Sequence, residues 1–542
     1  MTRTTIIAAC LGLAFSSSIS AEMPGDALDE ISAANIRAHY EALAADAMTG
    51  RFAGTEGYTL AADYVAEQFA GLGLEPAGEE GWFQQVPLVS YRVDTETTTV
   101  YTHRDGVDAS LTYREDYGMG GDKVRDSNSL REEVVYAGYG VHAPDLGYSD
   151  YAGVDVAGKI VAIFDGAPSS FPHNERAFYA SGRTKAQEAV SRGAVGVIGL
   201  RSRLAEEQYP WERYKKEMGT RPGMAWVNLS GQANDYFPEL GGSMVLSREA
   251  ATALFDGSPL SFEDALDAIA ANEIKSLPLG LEVSMARRTS HEEITSPNVV
   301  GLIRGTDPEL RDEFVVFSAH LDGLGHGAPE DGDAIYNGAY DNAMGVALMI
   351  ETARALAQAP PRRSVLFVAV TAEERGLLGS DYFAHYPTVP SAAMVANVNL
   401  DMPLFLYPGA DLIAFGAEHS SLEAPVRAAA EAEGFTLTPD PLPEETLFVR
   451  SDQYSFVRKG IPAIYLISGF NSTNEEIDGE AAFRQHLGNH YHRPSDDLEL
   501  PVDWDSAERF ARTKARIGYV IGNDDTRPSW NAGDFFGEKF SR

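Results

Sequence analysis

Acids and histidines recur at fixed places in the stretch from Phe314 to Met402, each time just after an apolar run. In order it reads FVVFSAHLDGLG, YNGAYDNAMG, SVLFVAVTAEERGLLGS and MVANVNLDMP. The runs 314–317, 364–370 and 394–400 are followed or closed by His320 and Asp322, by Glu373 and Glu374, and by Asp401. Buried strands that deliver polar side chains at their carboxyl ends are how open α/β sheets build active sites. Carboxylates and imidazoles without a thiolate point to a hydrolytic metal centre rather than a structural one.

Each position has its own logic. His320 and Asp322 are two apart, so on a strand both leave one face, which lets His320 take a metal while Asp322 accepts its other ring N–H. Asp341-Asn342 precedes a helix starting near Met344; these residue types serve as helix caps, but a carboxylate there also points at the sheet edge where His320 lies. Glu373 and Glu374 are adjacent and therefore diverge, so one can ligate a metal while the other stays free as a general base. Two uncompensated carboxylates repel, which favours a cation beside them. Far along the chain, HLGNHYHRPSDD (486–497) carries three histidines; His492 is placed on metal, and His486 and His490 are read as loop histidines. Two histidines and three carboxylates match a pair of divalent ions sharing one bridging acid, held roughly 3.5–4 Å apart and lowering the pKa of a shared water towards about 7.

The elements that must position these groups are readable from periodicity. From Asp29 to Leu88 the pattern is helical, with Ile36, Tyr40, Leu43, Ala61, Tyr64, Val65 and Phe69 at spacings of three and four, interrupted by the loop TGRFAGTEG. Residues 92–104 alternate as a strand. Between about 130 and 285 short strands (VVYAGYGV, KIVAIFDG, AVGVIGL, GMAWVNLS) flank helices at 184–192 and 247–255; His142 and His173 are isolated there. NVVGLI returns the chain to the main fold. Helices then follow at 344–357, 377–385, 420–433 and 505–521, with strands at 364–370, 394–400, 411–415 and 461–467. Such alternation implies an α/β fold with a mostly parallel central sheet flanked by helices, and a smaller β-rich or α/β domain inserted in it. The tail from Asn523 is polar and expected to pack loosely.

A chain of 542 residues implies two domains, and 44% apolar with 23% charged residues is ordinary globular composition. The net charge of −37 argues against nucleic acid and anionic membrane surfaces as partners and reads as a solubility device. The start, MTRTTIIAACLGLAFSSSISA, has an early Arg, the apolar run Ile6–Phe15 and small residues to Ala21, the pattern of a secretory signal peptide. The only cysteine, Cys10, falls inside it. Reading Cys10 as a lipoprotein site leaves too few apolar residues ahead of it. No later stretch is apolar enough to span a bilayer. A periplasmic or secreted protein is expected.

With these residues in place, the chain resembles the M28 family of zinc peptidases, the co-catalytic aminopeptidases. The resemblance rests on HLD (320–322), AYDNAMG (339–345), EERGLLGS (373–380), NLDM (399–402) and YHRPSDD (491–497). It implies two Zn²⁺ ions per chain, with His320, Asp341, Glu374, Asp401 and His492 as ligands and Asp341 as the bridge. Glu373 is then the general base, Asp322 the partner of His320, and Tyr491 the residue that steadies an oxyanion. Arg450 and Asp452, in RSDQYSFVRKG, are read as pocket residues or as a structural ion pair. Met344 stands where a Ser is common, at a position that is not a ligand.

The block from VVYAGYGV to IFDG resembles a protease-associated domain inserted in exported bacterial members, and ADAMTGRFAGTEG through FQQVPL resembles their amino-terminal part. The implied organisation is a signal peptide at 1–21, peptidase portions at 22–130 and 286–525, the insert at 131–285 and a tail at 526–542. The implied function is an exopeptidase acting on peptide substrates, an aminopeptidase first and a carboxypeptidase second. A one-zinc glutaminyl cyclase and a non-catalytic receptor on the same fold are the rivals.

Overall fold

Four parallel strands form the heart of the protein, described here from a computed structural model over residues 22–541. The signal-peptide reading of 1–21, with Cys10, lies outside the described residues. Phe314–His320 runs between Ser364–Val370 on one side and Met394–Asn399 on the other, and Ala463–Ser468 pairs beyond the latter. Every residue of these four strands is buried. Strands covered on both faces read as continuous apolar runs, which is why their sequences do not alternate. Antiparallel neighbours close the sheet: Asp411–Phe415 against Ala463–Ser468, and Val299–Ile303 against Ser364–Val370.

Helices flank this sheet. Gly345–Gln358, Trp504–Asn523 and Ala33–Leu43 pack on one another, while Leu378–His385 packs with Gln453–Val457. Among the described residues, no helix is long and apolar enough to cross a membrane.

A single strand of 27 residues, Leu277–Ile303, joins the central sheet to a second one. Its first half pairs with Ser127–Tyr136 and Thr99–Arg104, and its second half with Phe83–Val93. In the second sheet Ile160–Phe164 lies parallel to Ser127–Tyr136 and to Gly196–Leu200, which lies parallel to Gly242–Leu246. Leu279, Leu281, Val283, Met285, Arg287 and Thr289 are all buried along the long strand, a strict period of two.

Three readings of the sequence are corrected. The helical stretch ends at Gly71, and Phe83–Val93 is a strand whose buried residues alternate through Gln84, Val86, Leu88 and Ser90. His486 is in the helix Gly479–Asn489, not in a loop. The tail does not pack loosely: Phe535–Phe540 is a helix, and Phe536 is fully buried against Phe448, His419 and Tyr454.

Candidate metal centre

The carboxyl ends of the parallel strands deliver most of the chemistry. His320 is the last residue of its strand and is 1% exposed. Its Nε2 lies 3.1 Å from Oδ1 of Asp341 and 3.2 Å from Oδ1 of Asp401. On the other side of Asp341, Oδ2 is 3.2 Å from Nε2 of His492, which is also 3.2 Å from Oε2 of Glu374. The result is two groups of metal-capable atoms, His320–Asp341–Asp401 and Asp341–Glu374–His492, with the Asp341 carboxylate common to both. The five residues expected as ligands are thus together, from four strand ends or turns and one distant loop.

The ambiguity at Asp341-Asn342 resolves by a division of labour. The Asn342 side-chain oxygen accepts the N–H of Gly345, at the start of the helix, and of Met402, both at 3.1 Å. Asn342 does the capping, and Asp341 is left facing the histidines. The preceding Gly338 has φ +58°, and a Cβ there would stand 2.2 Å from the Asp341 carbonyl oxygen, so the turn requires glycine.

Glu373 and Glu374 sit on a short turn between Ala372 and Leu377, both with positive φ (+53° and +59°). Non-glycine residues in that region cost of order 1–3 kcal/mol each. Holding the turn is a job of Asp322, whose carboxylate accepts the backbone N–H of Glu373 at 2.9 Å and of Glu374 at 3.3 Å. Towards His320, Nδ1 is 3.2 Å from the Asp322 carbonyl oxygen and 4.0 Å from its carboxylate. Glu374 joins a metal-capable group and Glu373 does not.

The electrostatics are those of too many acids for their surroundings. Burial pushes Asp341 up, but hydrogen bonds from His320 and His492 more than offset this and hold it well below the usual carboxylate range. Glu373 goes the other way: burial, with Asp401, Asp452 and Glu374 nearby, pushes it well above. Burial likewise raises Glu374 to about 7, despite the opposing charge of His492. A donor set of two imidazoles and three carboxylates, crowded and buried in two groups, fits divalent cations, which would compensate the crowded negative charge.

Residues that the sequence reading passed over hold this arrangement from behind. The buried Asp496 accepts the N–H of Tyr340 at 2.9 Å and of Asp341 at 3.0 Å. Arg51, 1% exposed, donates to the carbonyls of Leu43, Leu321, Asn337 and Gly338 at 2.6–2.9 Å. Ser451 donates to Asp401 and accepts from Asn399. Asp496 lay inside a quoted motif and Arg51 inside a glycine-punctuated loop, but neither position signals contact with main chain far away.

Tyr491 stacks on the His492 ring with centroids 3.8 Å apart, and burial, opposed by Arg450 and reinforced by Asp341, Glu374 and Glu373, pushes its phenol well above the usual range. Arg450 and Asp452 are not an ion pair: Arg450 pairs with Glu445 at 3.1 Å, while Asp452 is fully buried and raised to about 7, first by burial. His486 is edge-on to Tyr340, and burial lowers it to about 4. His490 meets the Ser495 hydroxyl, His142 the Ser149 hydroxyl and His173 the Pro443 carbonyl. None of these four belongs to either metal-capable group.

Residues 298–517, which contain all five of these side chains, match the sequence profile of Peptidase family M28. This segment belongs to that family. Aminopeptidase NAALADL1 of Mus musculus is 33% identical over 138 residues, 24% of this chain and 17% of that protein. Aminopeptidase YwaD of Bacillus subtilis (strain 168) is 29% identical over 209 residues, 38% of this chain and 40% of that protein. The M28 segment and its flanks therefore span well under half of these curated relatives. The solved aminopeptidase from Aneurinibacillus sp. strain AM-1 superposes with a TM-score of 0.53 over 93% of this chain and 99% of that one, at 18% identity, so the likeness is one of fold.

Proposed function

We propose that the protein is an exported two-zinc aminopeptidase that removes amino-terminal residues from peptides. The observation that carries this reading is the Asp341 carboxylate, with one oxygen turned to each of two metal-capable groups. His320 and Asp401 would hold one zinc, His492 and Glu374 the other, and Asp341 both. The relatives described as aminopeptidases support the choice of peptide end. Zinc, when bound, supplies Lewis acidity: it polarises a scissile carbonyl and lowers the pKa of water.

The chain supplies the rest. Glu373, adjacent to Glu374 but outside both metal-capable groups, takes the proton from the attacking water and delivers it to the leaving amine. Tyr491, held protonated by its raised pKa, donates its O–H to the developing oxyanion. Asp322 fixes the turn so that Glu373 and Glu374 diverge. Residues 131–285, in this reading, form a protease-associated insert that lines the approach, and residues 1–21 direct export.

The deciding experiment is a mass-spectrometric digest of a peptide library by the zinc-loaded protein, run beside Glu373→Gln. Trimming from the amino end by the parent, with turnover lost but zinc content kept in the variant, is the expected result. Carboxyl-end trimming would replace aminopeptidase by carboxypeptidase, and full activity in the variant would remove Glu373 from its role.

A further inference from the structure

A large cavity lies apart from the metal-capable residues. It holds about 1030 Å³ against one face of the second sheet, lined there by Val197, Gly199, Ser243 and Val245, and extends to the carboxyl ends of Ile160–Phe164 and Gly196–Leu200 at Asp165 and Arg201. Open α/β sheets bind ligands at that edge, and the volume suits a molecule of short-peptide size. The start of the helix Gly182–Ser191 forms part of the wall.

The lining has the wrong sign for this protein. Over the whole chain Asp and Glu outnumber Lys and Arg by 80 to 43. Around the cavity the ratio reverses, to seven cations against three carboxylates. Three cations are neutralised locally, Arg183 by Asp235, Arg287 by Asp122 and Arg201 by Glu206. Arg92, Lys123, Lys185 and Arg221 make no ion pair among the described residues; Arg92 and Lys123 are met by backbone carbonyls, and Lys185 and Arg221 by a carbonyl and a tyrosine ring each, Tyr139 and Tyr336.

Lys185 is the sharpest case. It is 4% exposed, its Nζ donates at 2.7 Å to the Phe164 carbonyl, and an ammonium has three protons to place. Burial lowers it to about 8, against the opposing charges of Asp165 and Asp150, neither of which forms an ion pair with it. Arg221, also in the lining, donates through Nε to the Leu324 carbonyl at 2.7 Å and stacks 4.3 Å over Tyr336, while one terminal nitrogen is buried without a hydrogen-bond partner. Leu324 and Tyr336 also line the small pocket over Asp341, Glu374 and His492. Arg221 thus joins the lining of the cavity to residues that line the pocket over the metal-capable groups.

We infer that this cavity binds a carboxylate-bearing ligand of up to short-peptide size, anchored by the Lys185 ammonium and the Arg221 guanidinium. The carboxylate has two sources. It is either the far end of a peptide whose amino end lies at the metal centre, or a separate small organic acid. The first source rests on the peptidase reading; the site itself does not.

Calorimetric titration of zinc-loaded Glu373→Gln protein tests it, with the tetrapeptide Ala-Ala-Ala-Glu, its uncharged counterpart Ala-Ala-Ala-Gln amide, and glutarate as probes. At least one acidic probe should bind one to one, and Lys185→Met and Arg221→Ala should each weaken it tenfold or more. Lys123→Ala, at a half-buried position, is the control should Lys185→Met fold poorly, and should weaken binding in the same direction. Preference for the acidic peptide over its uncharged counterpart, with no glutarate binding, assigns the site to substrate. Glutarate binding that the Lys185 and Arg221 changes weaken, without competition from the peptide, assigns it to a separate acid. A protein that takes up no zinc but still binds glutarate through Lys185 would sink the peptidase reading and keep the site. No binding by either acidic probe, or binding that the three substitutions leave unchanged, overturns the inference.

Discussion

The Asp496 carboxylate accepts the backbone N–H of Asp341 at 3.0 Å, so one acid that belongs to neither metal-capable group holds the main chain of the acid that both groups share. It also accepts the N–H of Tyr340, and burial raises it to about 7 against those two hydrogen bonds. Removing it would leave two buried amides unpaired and free the turn. Outer partners of metal ligands typically contribute 10–100-fold to affinity. Asp496→Ala is therefore expected to weaken zinc binding by about that factor, read by competition with a chelator, while Asp496→Asn, which keeps one acceptor, retains more. Unchanged affinity in Asp496→Ala would show that the turn holds itself.

Sharing of Asp341 makes a prediction about stoichiometry. One of its oxygens faces His320 and the other His492, each within 3.2 Å. Asp341→Ala should lose metal from both positions, whereas His492→Ala should lose it from one. Metal analysis by mass spectrometry after gel filtration distinguishes the two. Equal losses in both variants would argue against a shared bridge.

Arg51 supplies a test of the scaffold rather than the site. Its guanidinium fans out to four carbonyls, one on Leu321 in the HLD segment and one on Gly338 in the turn before Asp341. Burial lowers its pKa, opposed first by the charge of Asp322. Lysine has a single nitrogen and cannot meet four acceptors in a planar fan. Arg51→Lys and Arg51→Met are both expected to destabilise the fold by about 3–5 kcal/mol, the scale of breaking a buried charged network. Urea unfolding measures this, and a change under 1 kcal/mol in Arg51→Met would contradict it.

Much of this was legible in the sequence for a physical reason. Strands buried on both faces, such as 364–370, stand out as apolar runs, and the acids that follow them mark the sheet's carboxyl edge. His492 was legible only through its motif, because nothing local distinguishes it from His486 or His490. What distinguishes it is tertiary: its φ of +59° and its position opposite Asp341. Arg51 and Asp496 were missed because their partners are main-chain atoms brought close only by folding. Residues 83–88 of the strand Phe83–Val93 read as helix because the strand's alternation includes the buried Gln84, a polar residue that periodicity counts as outward-facing.

The last residues of the chain make the final prediction. Phe536 is fully buried and lies edge-on to Phe448 with centroids 5.2 Å apart and to His419 at 5.4 Å. His419 in turn hydrogen bonds to Asp534, at the start of the same short helix. Phe448 precedes Arg450 and Ser451 by two and three residues, and Ser451 donates to Asp401. Truncating a buried phenylalanine to alanine costs about 3–5 kcal/mol through lost transfer energy and the cavity left behind. Phe536→Ala should lower stability by that amount in urea unfolding, and its effect should reach the metal centre through the 448–451 segment. Zinc affinity in the folded variant is expected to fall in parallel; a destabilised protein with parental zinc affinity would show that the tail supports the fold without bearing on the site.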